Sequence, residues 1–205
     1  MRILVVAATE LEIPRLSSGA HGRNHVDVLI TGVGMVATAA QCARALTRTA
    51  YDLALNFGVC GSFDEELLPG TVVHVVEDRI AELGAEDGEH FLPIEKMGLG
   101  QTSVVTNSAP PQLVALRELP RVRAITVNTV HGSEASIADI RQRCAPDVES
   151  MEGAAFAYAC GINHVPYAQV RAVSNVVERR NREAWRMDLA IRHLNEVAIR
   201  LVDEA

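Results

Sequence analysis

The chain has 205 residues, with 19 basic against 26 acidic side chains and a formal charge of −7; so acidic a surface holds neither nucleic acid nor an anionic membrane by charge. Apolar residues supply 48% of the chain and aromatics only 4%, so the core is Val, Leu, Ile and Ala, which favours α/β layering. No apolar run approaches the roughly 18 residues of a membrane-spanning helix, and Glu10 interrupts MRILVVAATE where a signal peptide stays apolar, so one cytosolic domain over residues 1–205 is expected.

Arg2–Ala8 reads as a β-strand, handing over at Thr9 to a helix that holds Glu10, Glu12 and, in its first turn, Pro14. The grammar then repeats: VDVLI, the glycine turn Gly32-Val33-Gly34, and a helix from Met35 to about Arg48; then DLALNF and a second glycine turn, Gly58 to Gly61. TVVHVVEDRI is a long strand, Gly84 to Gly100 a loop, Ser103–Thr106 a strand, Pro110–Leu119 a helix and Val122–Val130 a strand. Gly132 to Ser136 turns into a helix ending near Cys144, Met151–Cys160 is an apolar helix, Pro166–Val173 the last strand, and Arg182–Val202 an amphipathic helix.

Cys42, Cys60, Cys144 and Cys160 form no C-x-x-C pair and the seven histidines no H-E-x-x-H, so reduced, buried thiols are expected, with no metal and no cofactor. The glycine turns offer backbone amides to an anion or a sugar hydroxyl, and equally serve as tight βα turns. Neither completes a dinucleotide fingerprint or a P-loop.

Order along the chain says more: Glu12 after the first strand, NFGVCGS (Asn56–Ser62), SMEGAAFA (Ser150–Ala157) and RAVSN (Arg171–Asn175). In this register the four motifs resemble the nucleoside phosphorylase and nucleosidase family over nearly the whole chain. The end segment SNVVERRNREAW is most similar to futalosine hydrolases, which cleave a 6-oxopurine nucleoside on a menaquinone pathway. The resemblance implies a three-layer α/β/α sandwich with a central twisted mixed sheet, a small-molecule nucleoside substrate and a homo-oligomer that completes its pocket across the interface.

Breaking an N-glycosidic bond passes through a cation-like ribosyl group and requires a nucleophile opposite the base and relief of charge on the departing purine. Phosphorylases of the family hold phosphate with arginines at the glycine turns. Here Asn56-Phe57-Gly58 is uncharged, and Gly32-Val33-Gly34-Met35 has no basic neighbour before Arg44, so water is the better nucleophile.

By resemblance, Glu12 is the general base, with Glu10 as rival; Glu152, set in an apolar helical stretch, receives the ribose hydroxyls, and Met151 packs on the sugar. Gly58, Val59, Gly61 and Ser174 complete the substrate-binding set that the resemblance implies. Adenine-releasing relatives carry Asp where this chain has Asn175; an amide offers N–H to a 6-oxo group and its carbonyl to an N7 proton, which matches hypoxanthine. An arginine of the run after it, with Arg179 and Arg182 as candidates, meets the carboxylate beyond the 5′ carbon beside Trp185. Three rivals stand: a phosphorylase using Arg15 or a neighbouring subunit, a methylthioadenosine or adenosylhomocysteine nucleosidase, and a non-catalytic nucleoside-binding relative.

Overall fold

A computed structural model describes residues 1–205. The strands are β1 (Arg2–Ala7), β2 (Gly19–His21), β3 (Asn24–Ile30), β4 (Leu53–Ser62), β5 (Val72–Ile80), β6 (Gly84–Asp87), β7 (His90–Pro93), β8 (Val104–Thr106), β9 (Arg121–Thr126), β10 (Val148–Ser150) and β11 (Tyr167–Val176). The helices are α1 (Met35–Arg48), α2 (Val114–Arg117), α3 (Glu134–Cys144), α4 (Gly153–Ile162) and α5 (Met187–Glu204). The central sheet is mixed and runs β10-β9-β5-β11-β4-β1-β3-β2, with β8 on β5. No helix is long and apolar enough to cross a membrane.

Alternation along β1 sets the layers. Ile3, Val5 and Ala7 point to one face, where Leu194, Ala198 and Leu201 of α5 and Leu116 of α2 cover them. Leu4 and Val6 point to the other, against Cys42 and Leu46 of α1 and Phe156, Ala159 and Cys160 of α4. Both sheet faces are buried, as the run of β-branched residues requires. This is the expected three-layer sandwich.

One feature goes beyond it. Because β10 pairs with both β9 and β4, the strands β4, β11, β5, β9 and β10 close into a ring. Cys60, Val73, Val75, Val122, Ala124, Val148 and Val173, from all five strands, fill its interior.

Several elements differ from the sequence expectation, each for a local reason. Thr9 leads into a three-residue 3-10 turn, Glu10–Glu12, instead of a helix; Pro14 lacks the N–H a longer helix needs. Gly58 to Gly61 is no turn, since β4 runs straight through it. Residues 84–93 form a hairpin with Gly88, at φ 65°, opening a two-residue loop. The proline-opened helix shrinks to the four residues of α2, and β9 stops at Thr126, releasing Val127–Val130 toward the site. β2 and β10, three residues each, were not expected at all.

Candidate active site

Four strands of the sheet converge on a cavity of about 730 Å³, lined by Glu12 and Leu11 after β1, Val59 and Gly61 of β4, Glu149 to Glu152 around β10, Ser174 and Asn175 of β11, and Arg180, Trp185 and Asp188 before and within α5.

Glu12 is 8% exposed. Its Oε1 accepts from the Val59 N–H at 3.1 Å, and its Oε2 accepts from the Thr9 N–H at 3.0 Å. Burial pushes its carboxyl above the ordinary range; those two amides and the Arg171 guanidinium pull the other way, and Glu152 adds to the rise. Glu10 is exposed and does not line the cavity, so Glu12 occupies the place the two acids contested.

The glycines of β4 make room for this arrangement. A Cβ on Gly58 would stand 3.1 Å from Glu12 Oε1 and 3.3 Å from an Arg171 guanidinium nitrogen. Arg171 is 1% exposed, donates to Asn56 Oδ1 at 2.5 Å and to the Val170 carbonyl at 3.2 Å, and its Nε has no partner. A buried guanidinium is costly unless a carboxylate stands near it. Gly58 itself lies behind Glu12 and does not line the cavity.

Glu152 is not inside a helix, as expected from its apolar surroundings; it is the N-cap of α4. Its Oε1 accepts from the Gly34 N–H at 2.9 Å and its Oε2 from the Met151 N–H at 3.2 Å. The first glycine turn, with φ of 85° at Gly32 and 97° at Gly34, thus does present an amide to an anion, and the anion is the protein's own carboxylate. Below it, Thr126 Oγ1 donates to Asp78 Oδ1 at 2.8 Å and accepts from the Ala154 N–H at 2.8 Å. Gln169 Nε2 donates to Asp78 Oδ2 at 2.9 Å. Burial raises the Asp78 carboxyl to about 6.

β11 does not end before Ser174 but continues past Asn175, with a register shift between Val173 and Asn175. Such a bulge re-aims side chains, and both Ser174 and Asn175 line the cavity. Ser174 Oγ donates to Asn175 Oδ1 at 2.8 Å. Asn175 Nδ2 donates one hydrogen to the Val176 carbonyl at 2.9 Å.

A family model described as the phosphorylase superfamily matches residues 7–205. The chain belongs to that superfamily. Within it, the chain is 38% identical to the futalosine hydrolase of Streptomyces coelicolor, over 85% of this chain and 77% of that protein. It is 30% identical to the futalosine hydrolase of Thermus thermophilus, over 98% and 95% of the two chains. The native futalosine hydrolase structure of Helicobacter pylori shares the fold, with a TM-score of 0.85 at 14% identity, covering 100% of this chain and 98% of that one.

Set against this superfamily fold, the expected residues Glu12, Val59, Gly61, Met151, Glu152, Ser174, Asn175 and Trp185 share one cavity wall. Arg179 and Arg182 do not line it; Arg180 does. Arg180 and Arg182 both lie over the Trp185 ring, at 5.5 and 6.0 Å, because residues 182–184 form a 3-10 turn before α5 begins at Met187. Sequence reading assigned no site role to Arg171, although a charge inside the apolar strand QVRAV was its signal. Glu149 gave none beyond its place beside SMEG.

Proposed function

We propose that this chain is a futalosine hydrolase, which cleaves futalosine with water to hypoxanthine and dehypoxanthine futalosine, in the cytoplasm and within menaquinone biosynthesis. The observation that carries the choice of water is the charge on the cavity wall. Glu12, Glu149, Glu152 and Asp188 line it against the single cation Arg180. A phosphate dianion among four carboxylates is repelled. Gly34, whose N–H opens α1, is already taken by Glu152.

In this reading the ribose sits by Glu152 and Met151, its vicinal hydroxyls donating to the Glu152 carboxylate. As the C1′–N9 bond breaks, its electron pair moves onto the purine. Water attacks C1′ from the opposite face, and Glu12 takes its proton; a raised pKa makes that carboxylate the stronger acceptor. N7 gains and keeps a proton from solvent, and the N7–H donates a hydrogen bond to Asn175 Oδ1, while O6 accepts the free Nδ2 hydrogen.

The test is incubation with futalosine, inosine and methylthioadenosine, with and without phosphate. Hypoxanthine released from futalosine in phosphate-free buffer is expected; a ribose 1-phosphate product, or equal turnover of methylthioadenosine, overturns the reading.

Arg180 replaces Arg179 and Arg182 as the partner of the substrate carboxylate. Arg180→Ala is expected to raise KM for futalosine about tenfold with little change in kcat, as a charged hydrogen bond at a partly open wall allows. Arg179→Ala leaves KM unchanged in the same steady-state assay.

Two exposed apolar side chains line the cavity, Leu11 at 75% and Val33 at 59%, and three residues beyond Val33, in the first turn of α1, Val36 is 82% exposed. A second copy of the chain covers them in this reading. Val36→Glu is expected to turn an oligomer into monomers in light scattering after gel filtration; a parent chain already monomeric at micromolar concentration contradicts this.

A further inference from the structure

One buried carboxylate in the cavity wall is unused by the hydrolytic steps above. Glu149, 4% exposed, stands on β10 opposite Gly61 of β4, and Asn175 of β11 stands opposite the same glycine from the other side. Residues opposite one another across a ladder project from the same sheet face. A carboxylate and a carboxamide therefore flank a position that has no side chain. A Cβ at Gly61 would come within 2.8 Å of Val177 Cγ2, 3.3 Å of Asn175 Nδ2 and 3.6 Å of Glu149 Cγ.

Both flanking groups are fixed. The His131 N–H donates to Glu149 Oε1 at 3.1 Å, and His131 Nδ1 lies 2.6 Å from Oε2. The same backbone N–H also lies 3.4 Å from Oε2, so His131 occupies both sides of that oxygen, and Oε1 is the one that keeps a free lone pair. On the other side, Ser174 holds Asn175 Oδ1, and the Nδ2 hydrogen not bound to Val176 remains available.

We infer that Glu149, positioned by His131, reads the lactam edge of a 6-oxopurine: N1–H donates to the Glu149 carboxylate while the neighbouring O6 accepts from Asn175 Nδ2. The inference rests on the hydrolase reading and names the group that sets its base specificity. On a 6-aminopurine the pattern inverts. The N1 lone pair faces a carboxylate and the amino group faces an amide N–H. An amide carries both a donor and an acceptor, but a carboxylate has no hydrogen to offer in any rotamer. Discrimination therefore rests on Glu149 more than on Asn175.

The experiment measures binding of hypoxanthine, 1-methylhypoxanthine and adenine to the full chain by calorimetry, beside futalosine turnover. For the parent chain, 1-methylhypoxanthine is expected to bind at least about tenfold more weakly than hypoxanthine, the value of one charged hydrogen bond. Glu149→Gln, which supplies a donor to adenine N1, is expected to cut the hypoxanthine-to-adenine affinity ratio at least about tenfold. Equal binding of the methylated base overturns the inference. So does a variant in which both bases weaken together, since that is the mark of a purely structural role. If the variant does not fold, the methylated base decides on the parent chain. Futalosine turnover with these ratios unmoved removes the Glu149 assignment alone, whereas a parent chain without futalosine turnover removes the hydrolase reading with it.

Discussion

Glu12→Gln is expected to lower kcat for futalosine hydrolysis by about a thousandfold while KM stays nearly constant, the middle of the range for a positioned general base. The glutamine fits the same space between Thr9 and Val59 but takes up no proton from the attacking water. The pH profile supplies a second reading. Burial holds the Glu12 carboxyl above its ordinary value of 4.5, so in the parent chain kcat/KM rises with pH through a limb displaced to the neutral side of 4.5. Below that limb the base is protonated and idle. In Glu12→Gln the limb disappears from the residual rate. Steady-state kinetics across pH, with a melting curve to show the variant folded, checks both. Turnover within a fewfold of the parent removes Glu12 from its role.

Gly153→Ala is expected to cost at least about 3 kcal/mol of stability, through overpacking and a disrupted buried hydrogen bond. A Cβ at this position would overlap Gln169 Nε2 and Asp78 Oδ2. Those two groups belong to the network that satisfies Asp78, fully enclosed between β5, β9, β11 and the start of α4. Neither is the flexible tip of an exposed chain: Gln169 and Asp78 are each 1% exposed. The added methyl pushes α4 away from the sheet and carries the adjoining Glu152 with it. Urea unfolding measures the loss as a lower midpoint, and thermal unfolding shows it as about 6–12 °C in Tm for a chain of this size. An unchanged midpoint contradicts the packing described here.

Local pattern made some elements legible. The sequence places α1 from Met35 to about Arg48, and it spans Met35–Arg48, because its amphipathic spacing and the preceding glycines are sufficient signals. β10 was invisible: three residues have no period, and its partners Ala124 and Gly61 lie far away in sequence. The glycines of NFGVCGS were misread as a turn because composition does not distinguish a glycine needed for positive φ from one needed for close approach. Here close approach is the reason, for Glu12 and Arg171 behind Gly58. Glu12, Glu152 and Asn175 were found through the order of motifs. The choice of Arg180 over its neighbours was not, since a loop presents side chains by its path and not by a period. Glu149 becomes meaningful only when Gly61 is seen between it and Asn175.

The closed ring of β4, β11, β5, β9 and β10 also divides the pocket mechanically. Strands paired on both sides have no frayed border from which to open, so the amides of Gly61, Glu149 and Asn175 are expected to be among the slowest in a hydrogen-exchange measurement. Glu12 and Trp185 hang instead from 3-10 turns outside the ring. In the proposed reading, substrate and freed base pass these outer segments, while the ring holds the wall that would meet the purine.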